Sequence, residues 1–136
     1  MNVLLFLTPK KDVAYLQDNF SIRQALEKME YHRYSAIPIL NEQGKYKGTL
    51  TEGDILWYVK NKHNLSIFEA ENDSILKITR RHDNLPVKAT AELKDIIASA
   101  MNQNFIPVVD DNDTFIGIIT RKNIFKYLEK KHLLNN

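Results

Sequence analysis

The chain has 136 residues, with 19 Lys and Arg against 17 Asp and Glu, a formal net charge of +2, 43% hydrophobic residues and 26% charged ones. That length fits one compact domain or two half-size units sharing a core, and so balanced a charge creates no demand for nucleic acid or a membrane surface. The absence of cysteine excludes disulfides and thiolate metal sites and fits a reducing cytoplasm, while the longest apolar run, residues 3–7, is too short to cross a bilayer or to form a signal-peptide core.

In chain order, a short strand is expected at residues 13–16. Ser21-Ile22-Arg23-Gln24 is a capping box, and Ile22, Ala25, Leu26 and Met29 then fall on one helical face. Ile37-Pro38-Ile39-Leu40, the turn residues Asn41 to Gly44, and residues 46–50 read as a β-hairpin. A helix follows from Thr51 and carries Ile55, Leu56, Trp57, Tyr58 and Val59. Residues 61–84 are not rich in Gly or Ser and read as an ordered connector. Within it, Ser66-Ile67-Phe68-Glu69 is a further capping box that predicts a short helix, and residues 75–78 suit a strand.

The same order then recurs. A strand is expected around residues 86–88, and Leu93, Ile96, Ile97 and Ala100 repeat the helical spacing. Ile106-Pro107-Val108-Val109, the turn Asp110 to Asp113, and residues 115–119 form a second hairpin. Gly117-Ile118-Ile119-Thr120 restates Gly48-Thr49-Leu50-Thr51 at a distance of 69 residues, and a second helix carries Ile124, Phe125, Tyr127 and Leu128. The chain therefore divides at 1–64 and 65–136. One copy cannot bury both faces of a three-stranded sheet, whereas two copies packed sheet to sheet can.

Thr51 and Thr120 each stand where a strand gives way to a helix. The first helical N–H groups there lack intrahelical partners, and the positive end of the helix dipole favours phosphate. Asp54 and Asn123 lie on the following turn, and a short carboxylate at that position can accept two hydrogen bonds from a ribose diol. Gly48 and Gly117 permit close backbone approach. Thr-x-x-Asp is also close to a capping box that only satisfies backbone donors. The duplication favours ligand binding, and both roles can hold together.

The duplicated pattern resembles the CBS domain, named after cystathionine β-synthase, over nearly the whole chain as one tandem pair. The matching pieces are Ser35-Ala36-Ile37-Pro38-Ile39-Leu40 with Gly48-Thr49-Leu50-Thr51 and Asp54-Ile55, then Phe105-Ile106-Pro107-Val108-Val109-Asp110 with Gly117-Ile118-Ile119-Thr120 and Asn123-Ile124. The resemblance implies an α/β fold with pseudo-two-fold symmetry, in which two small sheets pack with flanking helices. It also implies two adenine-nucleotide clefts. The first would join Thr120, Arg121, Lys122 and Asn123 to Thr8, Val13, Ala14, Tyr15, Ser35, Ala36 and Ile37. The second would join Thr51 and Asp54 to Thr79, Arg80, Arg81, Asn104, Phe105 and Ile106. Apolar backbone near Val13 to Tyr15 suits an adenine face, and Arg121 and Lys122 suit phosphate. For Arg80, Arg81 and His82 a solvated loop is an equal reading.

Asn123 departs from the acidic ribose partner that the family prefers. Val13-Ala14, Tyr34-Ser35-Ala36-Ile37-Pro38 and Thr120-Arg121-Lys122 are similar to stand-alone CBS pairs of Gram-positive bacteria that bind cyclic di-AMP. That ligand therefore stands beside AMP and ATP. His32, His63, His82 and His132 show no metal-ligand spacing and suit the surface, and no Ser-His-Asp or Walker pattern is present. Trp57 and Tyr58 suit core or dimer packing. The expectation is a cytoplasmic regulatory module, with no catalytic residues, metal or catalytic cofactor, that signals nucleotide state to an effector protein. Its post-hairpin helices are apolar all round, which predicts a homodimer. The alternatives are a ligand-free structural module or, less favoured, a nucleic-acid binder using its basic C-terminal helix.

Overall fold

The computed structural model describes residues 3–135, with the side chains of residues 132–135, including that of His132, outside the description. The fold is mixed α/β, with five helices and two small sheets among the described residues. The chain divides into two compact units, unit I spanning Ala14–Asp83 and unit II combining residues 3–13 with 84–135. These units do not follow chain order as 1–64 and 65–136 do, since the connector groups with the first hairpin and the N-terminal stretch with the second.

Unit I is built on the hairpin of β3 (Ala36–Leu40) and β4 (Tyr46–Thr51), with β2 (Leu16–Gln17) parallel to β3 on its other side. The helix α1 (Ile22–His32) starts in a complete Ser21–Gln24 capping box and stops where Arg33 turns left-handed at φ 58°. After the hairpin comes α2 (Glu52–His63), then the single-turn α3 (Ile67–Ala70) and a 3-10 turn at Ile75–Lys77. Leu16, Ile22, Ile37, Ile39, Leu50 and Ile75 are fully buried in one cluster, and each such side chain stabilises by about 1.5–3 kcal/mol.

Unit II repeats the plan with β5 (Val87–Lys88), α4 (Leu93–Ala100), β6 (Phe105–Val109), β7 (Phe115–Thr120) and α5 (Arg121–Asn135). Its sheet has a fourth strand, β1 (Thr8–Pro9), antiparallel to β7 with Thr8 opposite Ile118 and Pro9 opposite Gly117. Val3, Ile96, Ile106, Val108 and Ile119 make its buried core.

Three expectations need correction. The strand placed at 13–16 lies at Leu16–Gln17, because Val13 instead closes a 3-10 turn through its N–H to the Lys10 carbonyl. The strand expected at 75–78 is a 3-10 turn, started by the Ser74 hydroxyl accepting from the Leu76 N–H. The Ser66 capping box is half made: Ser66 accepts from the Glu69 N–H, but the Glu69 carboxylate turns to His63 at 4.0 Å.

Candidate functional site

Thr51 and Asp54 form a closed capping box at the start of α2. The Asp54 N–H donates to Thr51 Oγ1 at 3.1 Å, and the Thr51 N–H donates to Asp54 Oδ2 at 3.1 Å. Asp54 is only 3% exposed, and its other oxygen, Oδ1, accepts the Arg81 N–H at 3.1 Å. The same carboxylate thus caps the helix and fastens the connector to it.

The connector is not a solvated loop here. Arg80 Nε donates to Asp83 Oδ1 at 2.7 Å, and its Nη2 donates to the Lys47 carbonyl at 3.2 Å. Asp83 also accepts the Thr49 N–H at 3.0 Å. Burial pushes the Asp83 carboxyl up, but the Arg80 guanidinium and the Thr49 N–H outweigh it and hold it below the usual carboxylate range. The bond to Asp83 likewise raises Arg80. Gly48, at φ +153°, makes room for this pair: a Cβ there would lie 2.6 Å from both Arg80 Nη2 and Asp83 Oδ1. The Arg81 guanidinium lies over the Trp57 ring, 5.3 Å from its centre, so Trp57 carries a cation and is not simply packed into the core. Thr79 is exposed beside this group.

Unit II makes the equivalent turn with opposite polarity. The Asn123 N–H donates to Thr120 Oγ1 at 3.1 Å, as in the first copy. Its side-chain amide, however, donates to the Phe6 carbonyl at 3.1 Å and to Thr8 Oγ1 at 2.9 Å. An ionised carboxylate has no proton to offer the Phe6 carbonyl, which gives the departure from Asp a structural reason. Gly117, at φ +154°, lets β1 approach: a Cβ there would meet the Thr8 carbonyl oxygen at 2.2 Å. Arg121 Nε donates to the Ala100 carbonyl at 2.7 Å and so caps the end of α4, while Lys122 is exposed on the first turn of α5.

The remaining expected residues divide between the units. Thr8, Val13 and Thr120 to Asn123 belong to unit II, whereas Ala14, Tyr15, Ser35, Ala36 and Ile37 belong to unit I. Ala14 is buried, and its N–H donates to the Tyr34 hydroxyl at 3.5 Å. The Tyr15 ring lies beneath the Lys28 ammonium at 5.1 Å. Ser35 is exposed and gives its carbonyl to the Glu52 N–H at 3.0 Å, Ala36 pairs with Thr51, and Ile37 is fully buried. Thr51, Asp54, Thr79, Arg80 and Arg81 lie in unit I, and Asn104, Phe105 and Ile106 in unit II. Asn104 Oδ1 accepts from the Phe105 N–H and from Asn84 Nδ2, while Phe105 and Ile106 are buried in β6.

One cluster was not anticipated. The Tyr58 hydroxyl donates to Asp73 Oδ2 at 2.5 Å, and His63 Nε2 lies 2.8 Å from the same oxygen. His63 is therefore half-buried in a network and not a surface histidine. The bond to Asp73 pushes the Tyr58 phenol up to about 12, and the Tyr58 and His63 contacts hold Asp73 below its ordinary value. The signal was in the sequence: Tyr58 and His63 recur as Tyr127 and His132, again 69 residues on. Among the described residues no group of His, Asp and Glu is arranged to hold a metal, and no helix is long and apolar enough to cross a membrane.

Comparison with known proteins agrees with this geometry. The family model for the CBS domain matches residues 6–61 and 75–130. The crystal structure of CbpB in complex with c-di-AMP superposes with a TM-score of 0.85 at 27% identity, covering 96% of this chain and 85% of that one. A conserved protein from Geobacillus kaustophilus superposes with a TM-score of 0.86 at 25% identity, covering 96% and 98%. Two Methanocaldococcus jannaschii proteins are also similar: an uncharacterised protein at 23% identity over 92% of this chain, and L-aspartate semialdehyde sulfurtransferase at 31% over 78%. The chain spans only 49% and 19% of their lengths.

Proposed function

This chain belongs to the CBS domain family, and from that premise we propose that it is a regulatory adenine-nucleotide sensor, taking AMP, ATP or cyclic di-AMP, that passes its ligand state to a partner protein. The observation that carries the reading is the likeness to CbpB, a protein crystallised with c-di-AMP, across 96% of this chain. The sensor binds and does not turn over its ligand. It works in the cytoplasm as a homodimer, and exposed Leu56, Phe125 and Leu128 on α2 and α5 support the pairing. A nucleotide biases the partner only by its own differential affinity for two states of the chain.

The two Thr-capped turns are the proposed contact points. At the first, a ribose diol would share Asp54 with the Arg81 N–H, and Arg80 and Arg81 stand beside it. At the second, Arg121 and Lys122 favour a phosphate-rich or cyclised ligand, and Asn123 with Thr8 replaces the acidic ribose partner. Calorimetry with the three nucleotides tests this. Asp54→Ala should weaken AMP or ATP about tenfold or more and leave cyclic di-AMP nearly intact, since charge-assisted bonds contribute about 1.5–3 kcal/mol. Arg121→Ala should do the reverse. If the wild type binds none of the three, or both folded variants bind all three unchanged, the turns are structural locks and the chain is an interaction module.

A further inference from the structure

The leader stretch of each unit, residues 75–83 or 3–8, runs along one side of its post-hairpin helix, where the Arg81 N–H reaches Asp54 and the Phe6 carbonyl accepts from Asn123. The outer side of each helix is left exposed and carries three residues at i, i+4 and i+8, which fall on one stripe. On α2 these are Glu52, Leu56 and Lys60, and on α5 they are Arg121, Phe125 and Glu129. The two stripes share one plan with inverted signs. An apolar residue stands at the centre, with opposite charges about 6 Å to either side along the helix. Among the described residues no ion pair within the chain engages Glu52, Lys60 or Glu129. Beside Phe125 an apolar groove of about 430 Å³ runs between α4 and α5, lined by Ile97, Met101 and Leu128.

We propose that each stripe is a self-complementary contact for a second copy of this chain, α2 on α2 and α5 on α5, each pair antiparallel across a two-fold axis. A two-fold contact uses one patch on both copies, so residue i meets j and j meets i. Opposite charges at the two ends of a stripe are what that symmetry needs. About Leu56, Glu52 of either copy faces Lys60 of the other. About Phe125, Arg121 of either copy faces Glu129 of the other. Leu56 and Phe125, 51% and 66% exposed, supply the apolar centres that the contact buries. Antiparallel pairing of α2 on α5 would instead set Glu52 against Glu129 and Lys60 against Arg121, like charge on like at both ends. Parallel pairing of α2 on α5 satisfies the charges but lays two helix dipoles side by side in one direction, which disfavours it. A patch that is its own complement, and that occurs twice in one chain with the signs exchanged, points to a second copy and not to a foreign protein. The proposal rests on the homodimer reading for the existence of that copy, and adds which helices meet and in what sense.

The test is sedimentation equilibrium of the full chain and its charge variants, without nucleotide. The wild type should be a dimer. Glu52→Lys and Lys60→Glu each turn two symmetry-related attractions into repulsions, so each alone should raise the dimer dissociation constant about tenfold or more. Glu52→Gln removes the attraction without adding repulsion and should fall between wild type and Glu52→Lys. The double variant Glu52→Lys/Lys60→Glu restores opposite charges and should dimerise like wild type. Mixing the two single variants should yield a heterodimer, because two lysines on one stripe then face two glutamates on the other, and its formation also shows that both variants are folded. Parallel pairing of α2 on α5 gives the reverse on both counts, since the double variant would face Arg121 with a lysine and Glu129 with a glutamate, and mixing would restore nothing. A double variant as weak as the singles, no heterodimer on mixing, or single variants as dimeric as wild type would overturn the proposal and leave a homodimer standing. A wild type that sediments as a monomer overturns the homodimer reading, and this proposal with it.

Discussion

Asp54 and Asn123 stand at the same place in two turns of one design, and each faces the opposite partner. Asp54 receives an N–H from Arg81, while Asn123 gives an N–H to the Phe6 carbonyl. In both units this residue has one hand on the helix start and the other on the leader stretch that runs alongside. Which leader group arrives, donor or acceptor, decides between carboxylate and amide. The motif position is therefore a lock, and its chemistry follows the protein's own backbone first.

The harshest way to break the comparison is at the two glycines. Gly117→Ala drives a Cβ into the Thr8 backbone carbonyl at 2.2 Å with φ at +154°, so β1 must leave the sheet. A loss of about 3–5 kcal/mol in urea unfolding is expected. Gly48→Ala meets the ends of two side chains, which can swing aside, so about 1–2 kcal/mol is expected there. Equal losses would show that the two leaders are held in the same way.

Exchanging the lock residues sharpens the point. Asn123→Asp sets an ionised carboxylate against the Phe6 carbonyl and should cost about 2–3 kcal/mol near pH 7. Such a carboxyl has its native pKa raised, so the loss should shrink as pH falls and a proton returns to donate to Phe6. Asp54→Asn turns an amide donor toward the Thr51 or Arg81 N–H and should cost about 1–2 kcal/mol. If both exchanges are neutral by chemical denaturation, the polarity argument fails.

The smallest effect is expected at Tyr58→Phe, which removes the phenol from Asp73 while Tyr127 keeps its own. The depressed Asp73 pKa contributes stability above the ordinary carboxylate value, about 4, that is lost as pH falls below it. The raised Tyr58 pKa contributes stability that is full below about 10 and is lost as pH climbs towards about 12. The gap between wild type and Tyr58→Phe in thermal unfolding should therefore be widest between those limits and close beyond both. A gap that is flat across that range would remove the network from the account.

Local signals were legible and distant ones were not. The hairpins, the Ser21–Gln24 box and the Thr51–Asp54 box each lie within a few residues, and the chain alone spells them. The 3-10 turn at Ile75–Lys77 reads as a strand because Ile75, Leu76 and Ile78 make a short apolar run, and only the Ser74 cap distinguishes it. β1 was invisible because Thr8 and Pro9 gain a ladder only from Ile118 and Gly117. The meaning of Asn123 was hidden for the same reason, since its partner Phe6 stands 117 residues away. Thr51, Asp54 and Arg81 come together through hydrogen bonds to one carboxylate, but the role of Arg80 as a brace for β4 needed the space above Gly48.

That long pairing also orders events during synthesis. Everything in unit I, from Ala14 to Asp83, has been made once Asp83 leaves the ribosome, so its core can close while the rest is still being translated. The first strand of the chain has no such early partner. Thr8 and Pro9 emerge before any of unit I and must wait for β7, made after all of it, before their backbone groups are paired. A segment made before unit I thus finds its place after it, and pulse-labelled hydrogen exchange should show Thr8 protected later than Leu50.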